Sequence, residues 1–260
     1  MSFIDIIGPI LIGFFAGYLS GQFGVGGGVL MTPALRLILG TPALVAVGTP
    51  VPVIIVSAVT GAATYYRNGY VDLRLARDLA ITGMIGAALG AYTTRFVNGD
   101  IILLITAAVF IFIALNYITG RGESAVIWER FTAARSHAVI TSALIGMFVG
   151  FYSGFLGLGG GFLLVPALTI IFGKDIKTAF GTSLVVIIAY AIPGTIVHFL
   201  LGHIQPLLVL LLSIGIIPGA ALGSRIAIGL PEATLRRMFG FLLLVIALYF
   251  GIAEIRQLFA

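Results

Sequence analysis

Two glycine clusters carry the most distinctive backbone chemistry of this chain: GQFGVGGGVLMTP, Gly21 to Pro33, and GFLGLGGGFLLVP, Gly154 to Pro166. Each lies in an apolar run that reads as helix, although glycine and proline cost roughly 1 and 3 kcal/mol per interior helical position relative to alanine. A helix interrupted there starts again with free N–H groups, and such helix N-termini attract anions. Gly26, Gly27 and Gly28, with Gly159, Gly160 and Gly161, are therefore candidate anion contacts. Close packing is the plainer reading for spaced glycines, because small residues let membrane helices approach. Gly13, Gly17, Gly21 and Gly24, at intervals of four, four and three, have that pattern.

The polar side chains inside apolar runs are few. Thr49 and Thr182 begin equivalent segments, joined by Ser183; a hydroxyl there either bonds an oxyanion or caps its own helix. Gln22 sits in the first break and either orients a substrate or bonds a neighbouring helix. Tyr65 and His198 are equivalent near segment ends, and His198 is either a titrating group near the interior or an interfacial structural histidine. Arg36 either meets an anion or snorkels to the surface. His203, Tyr70 and Trp128 read as interfacial anchors. No Asp or Glu falls deep in a span, which argues against a carboxylate proton relay and leaves His198, a sodium ion or the anion's own gradient for coupling. With no HExxH, no GxSxG and no cysteine, the chain has no catalytic set, metal site or cofactor motif, and an enzyme is not expected.

The elements that must hold these residues follow from composition. Of 260 residues, 60% are hydrophobic and 9% charged, against about 25% charged in soluble domains, and mean hydropathy is +1.19. The chain is expected to be an all-α polytopic membrane protein, with the lipid bilayer as its surroundings. Basic residues are scattered in short loops, so nucleic acid is not an expected partner.

The second cluster repeats the first at an offset of 133 residues. Gly17, Gly21, Gly24 and Gly26 to Gly28 fall on Gly150, Gly154, Gly157 and Gly159 to Gly161, and Pro33-Ala34-Leu35 on Pro166-Ala167-Leu168. Gly48-Thr49 falls on Gly181-Thr182, and Gly86 to Gly90 on Gly219 to Gly223. The chain divides into repeats at 1–119 and 138–260, joined by a linker loop at 120–137. Each repeat has about five apolar segments: roughly 4–23, 28–40, 43–66, 75–96 and 101–119, then 138–156, 161–173, 178–201, 206–228 and 234–256. The segment after each glycine cluster is short, either a full span or re-entrant. An odd number of crossings per repeat makes the copies inverted. Charge agrees: Arg67, Arg74 and Arg77 lie in a loop whose counterpart has no Lys or Arg, while Lys174 and Lys177 face an uncharged GTP loop. With the 120–137 linker in the cytoplasm, eleven of the fourteen basic residues lie inside, which places both termini outside. Arg36, Arg95 and Arg256 remain outside.

The doubled GxxxGxxGxGGGxxxxPxL motif and the GTSL tetrad, Gly181 to Leu184, resemble the TauE/SafE family, also called the toluene-sulfonate uptake permease family. The resemblance covers essentially the whole chain and departs from the pattern at GTPV, Gly48 to Val51. It implies a small transporter of sulfite, sulfonates, sulfoacetate or related organic anions, in a bacterial plasma membrane. Inverted repeats with broken helices are expected to work by alternating access; a passive anion channel is the other reading. Coupling to H+ or Na+, the direction of transport and oligomeric state stay open.

Overall fold

The computed structural model describes residues 3–93, 96, 111, 114–115, 117, 135–156 and 159–258. These form α1 (Phe3–Phe23), α2 (Gly28–Leu37), α3 (Ala43–Gly48), α4 (Pro50–Arg67) and α5 (Leu73–Thr93). They continue with α6 (Arg135–Leu156), α7 (Gly161–Pro166, extended by a π turn over Ala167–Ile171), α8 (Ile176–Leu200), α9 (Pro206–Gly229) and α10 (Glu232–Leu258). The described residues are helical with no strand. Among the described residues four stretches are long and apolar enough to cross a membrane: Ile6–Phe23, Leu44–Arg67, Ile176–Leu200 and Pro206–Gly229. Most of the segment expected at 101–119 and of the 120–137 linker, with Arg95 and Trp128, lies outside the described residues; α6 begins at Arg135, inside the expected linker.

Local chemistry explains the boundaries. Asp175 caps α8 by accepting the Thr178 N–H at 2.9 Å, and Asp72 caps α5 by accepting that of Leu75 at 3.0 Å. The helix Ile176–Leu200 is continuous, whereas the matching stretch 133 residues earlier is divided at Thr49. There Pro50 has no N–H to continue the ladder. Its counterpart Ser183 has one. With ten residues, α2 is about 15 Å long, half of a hydrocarbon core of about 30 Å.

Equivalent glycines make equivalent packings. Along α1, a Cβ added at Gly13, Gly17 or Gly21 would lie 2.2, 2.4 or 2.2 Å from the carbonyls of Leu212, Ile216 and Ala220 on α9. Along α6, one at Gly146, Gly150 or Gly154 would lie 2.4, 2.1 or 2.0 Å from those of Leu79, Gly83 and Ala87 on α5. Both pairs run parallel with backbones in contact. The four-residue spacing is thus a packing face. Gly24 departs from it: its φ is +67°, and a Cβ would meet Ser183 Oγ at 2.5 Å. Between the two pairs, α4 and α8 run antiparallel. The start of α8 meets the loop after α4, and the start of α4 meets the loop after α8. Large apolar side chains such as Phe15, Leu144, Phe148 and Leu210 stay exposed, as a lipid-facing surface requires.

Candidate functional site: the crossing of two glycine breaks

Between α1 and α2 the backbone turns through Gly24, Gly26 and Gly27 at φ of 67, 83 and 81°; between α6 and α7 it turns through Gly159 and Gly160 at 87 and 70°. Side chains with a Cβ are strained there, so these positions call for glycine. Gly27 and Gly160 cap α2 and α7 in nearly the same left-handed conformation, φ 81°, ψ −12° and φ 70°, ψ −9°. Gly161 serves close approach instead: a Cβ there would lie 2.5 Å from both the Gly24 carbonyl oxygen and Val25 Cα. The two breaks therefore touch. The first α2 bonds run from Leu30 and Met31 to the Gly27 carbonyl, which leaves the Gly28 and Val29 N–H groups ahead of the intrahelical ladder.

Buried polar side chains surround this crossing. Ser183 Oγ lies 2.7 Å from the Gly24 carbonyl and 2.8 Å from that of Phe180, and donates its proton between them. Tyr65 donates to the carbonyls of Gly21 at 3.0 Å and Gln22 at 3.3 Å. Gln22 is buried, with its amide nitrogen 4.0 Å from Met238 Sδ. Ser57 donates to Ser20 Oγ at 2.7 Å. Sequence reasoning passed over Ser20, Ser57, Ser153 and Tyr190; Ser20 and Ser153 were detectable, since both copies place serine ahead of the glycine at 21 and 154.

Thr49 and Thr182 bind neither their own helix start nor each other. Thr182 Oγ1 accepts the N–H of Asp72 at 2.9 Å, and Thr49 Oγ1 that of Gln205 at 3.1 Å. Positions 72 and 205 are equivalent, as are 49 and 182, so each hydroxyl receives the loop of the other repeat. The preceding glycines make room: a Cβ on Gly181 would lie 2.0 Å from the Tyr70 carbonyl, and one on Gly48 2.6 Å from that of His203. Tyr70 and His203 thus dock on helix starts. Arg36 is exposed in the last turn of α2. Among the described residues no group of His, Asp or Glu is arranged to hold a metal ion.

Two apolar grooves flank the half-length helices. One, of ≈ 370 Å³, runs along Leu30, Pro33 and Ala34 of α2; the other, of ≈ 380 Å³, runs along Leu163, Pro166 and Ala167 of α7. A third cavity, of ≈ 10 Å³, lies inside, against Ser153, Gly159, Tyr190 and His198.

This doubled, glycine-broken arrangement has relatives. The model of the sulfite exporter TauE/SafE family matches residues 10–250. The chain belongs to the TauE/SafE family. A Xylella fastidiosa (strain Temecula1) protein named "Probable membrane transporter protein" is 28% identical over 252 residues, 96% of each chain. The similarly named YunE of Bacillus subtilis is 26% identical over 245 residues, 87% of each chain. A Haemophilus influenzae protein with the same kind of name is 25% identical over 265 residues, 95% of this chain and 98% of the other. No solved structure matches the chain. TauE/SafE membership makes it an integral membrane protein of a transporter family, and the expected resemblance holds.

Proposed function

We propose that this TauE/SafE chain is a secondary transporter of a small sulfur oxyanion, sulfonate or related organic anion, working by alternating access between two inverted repeats. The observation that carries the reading is the reciprocal closure of α4 and α8. Equivalent loops bond equivalent threonines at the two ends of one antiparallel pair. Two similar seals around one centre are what an alternating mechanism needs. Gly26, Gly27 and Gly28 with Gly159, Gly160 and Gly161 supply N–H groups to the anion, and Gln22, Thr49, Thr182 and Ser183 are polar contacts that become available when a seal opens. The family's printed description favours sulfite among substrates.

A thermal-shift screen of purified protein tests the reading against sulfite, sulfate, thiosulfate, sulfoacetate, taurine and simple carboxylates. A bound anion raises the melting temperature by mass action. Stabilisation by cations or neutral solutes and by none of the anions refutes it. Counterflow in proteoliposomes then separates a carrier from a pore.

A further inference from the structure

The two seals differ where the repeat does not require it. Positions 65 and 70 hold tyrosines, while their equivalents 198 and 203 hold histidines. At the first end the Lys177 ammonium lies 5.6 Å from the centre of the Tyr70 ring, and Lys174 pairs with Asp72 at 2.7 Å. At the second end His198 Nδ1 lies 3.2 Å from His203 Nδ1. His198 is only 1% exposed, and its Nε2 is buried without a hydrogen-bond partner. With Ser153, Gly159 and Tyr190 it lines the ≈ 10 Å³ cavity against the second glycine break, about the room one water needs. Among the described residues the other buried polar side chains are serines, threonines, a glutamine and tyrosines, so His198 is the one able to become a cation. Among the described residues that line this cavity, Tyr190 is the one further titratable side chain. Val51 and Ile54 of α4 and Ser153 and Gly154 of α6 line the same cavity, and the His203 loop adds Gln205.

We propose that His203 and His198 form a one-step proton relay that places an imidazolium beside the second glycine break, so that an anion entering there travels with a proton. The coupling rests on the anion-transport reading; the relay does not. A contact between two Nδ1 atoms needs a proton on one and a lone pair on the other. Half-buried His203 takes a proton from water at Nε2 and passes its Nδ1 proton to His198 Nδ1. His203 is left neutral with Nε2–H, and His198 becomes the imidazolium, its Nε2–H beside the cavity. One proton enters, one moves, and no electrons are transferred. A phenol has no basic ring nitrogen to take up and pass on a proton, so proton entry belongs to the His203 end alone.

The chain has three histidines, His137 being the third, so imidazole 15N spectra of the full chain in lipid nanodiscs resolve each one. The expected result is a 15N–15N coupling between the two Nδ1 atoms and protonation of His198 on acidification. In His203→Asn the His198 midpoint is displaced by at least about one pH unit, tenfold in proton concentration. An unchanged midpoint in His203→Asn, or a native His198 that never titrates, overturns the relay. For coupling, proteoliposomes with an internal pH dye receive a gradient of methanesulfonate or sulfoacetate, both fully ionised near neutrality. Native protein moves protons with the anion. His198→Tyr, which installs the residue of the equivalent position, and His198→Gln keep the native melting temperature and lose proton movement about tenfold or more. Native anion flux without proton movement overturns the coupling. Absence of flux for every anion overturns the transport reading instead, and the spectra still decide the relay.

Discussion

Replacing Thr182 by Val removes one oxygen and keeps the side chain's shape. The Asp72 N–H, which donates to that oxygen at 2.9 Å, then loses its acceptor, and Thr182 is fully buried. A buried donor left unsatisfied costs about 1–3 kcal/mol. Thr49 makes the matching bond with Gln205 at 3.1 Å and is equally buried. The two bonds close opposite ends of the α4–α8 pair, so each penalty falls on the state in which that end is shut. A bias of 1–3 kcal/mol changes the ratio of two states by about 5- to 150-fold. Thr182→Val is therefore expected to favour opening at the Asp72 end, and Thr49→Val opening at the His203 end. The chain has no cysteine, so single reporters are clean. Ser20→Cys reports on the Tyr65 side of the crossing and Ser153→Cys on the His198 side, each probed with an impermeant thiol reagent added to one face. Labelling at Ser20→Cys should rise with Thr182→Val, and labelling at Ser153→Cys with Thr49→Val, each from its own face. In the double variant the penalties cancel in the ratio and labelling returns toward native, while melting temperature falls further. Increases on the same face for both variants, or lower melting temperatures with unchanged labelling, would refute the two-seal reasoning.

Four other substitutions follow from packing, hydrogen bonding and charge. Gly150→Ala puts a Cβ 2.1 Å from the Gly83 carbonyl oxygen and should cost about 1–3 kcal/mol by overpacking. Gly229→Ala meets nothing within 4 Å and should be neutral or gain up to about 1 kcal/mol of helix propensity. Equal melting losses for the two would contradict the packing account. Tyr65→Phe removes the donor to the Gly21 and Gln22 carbonyls and should lower stability by about 0.5–1.5 kcal/mol, read by denaturation in detergent; an unchanged midpoint would show that bond to be idle. Partial burial disfavours the Asp72 charge, but the Leu75 N–H and the Lys174 ammonium outweigh it and hold the carboxyl below its usual range. An unfolded Asp titrates near about 4. The stabilisation is therefore complete above that value and is lost as pH falls through the lower folded one. Asp72→Asn should melt below native at pH 7, with the gap closing in acid; a gap that widens in acid reverses the sign of the argument.

Much of this was legible because glycine is a narrow requirement. A left-handed cap at Gly27 or Gly160, and backbone contact at Gly17 or Gly150, admit no other residue without strain or collision. Those positions therefore survive in both copies and mark the repeat, the short helices and the spans. Boundaries set by one residue's chemistry were less visible. The division at Thr49 arises from Pro50, where the expected segment simply ran on. The start of α6 at Arg135 lies among polar residues that read as linker.

The site was legible in its residue types and illegible in its pairings. Thr49 and Thr182 stood out as hydroxyls at equivalent positions, yet their partners are N–H groups 156 and 110 residues away. Every residue but proline carries such a group, so side-chain identity at 72 or 205 gives no signal. Several of the residues that differ between copies lie on the seals. Pro50 stands against Ser183, Tyr65 and Tyr70 against His198 and His203, Thr41 against Lys174, and Gln205 against Asp72. The Asp72 end gains an ion pair and a cation over an aromatic ring; the His203 end gains two imidazoles in contact. Chemically different seals need not open under the same conditions. On the inverted-repeat proposal, the retained glycines supply the two-fold mechanism, and the diverged seal residues set the balance between its two states.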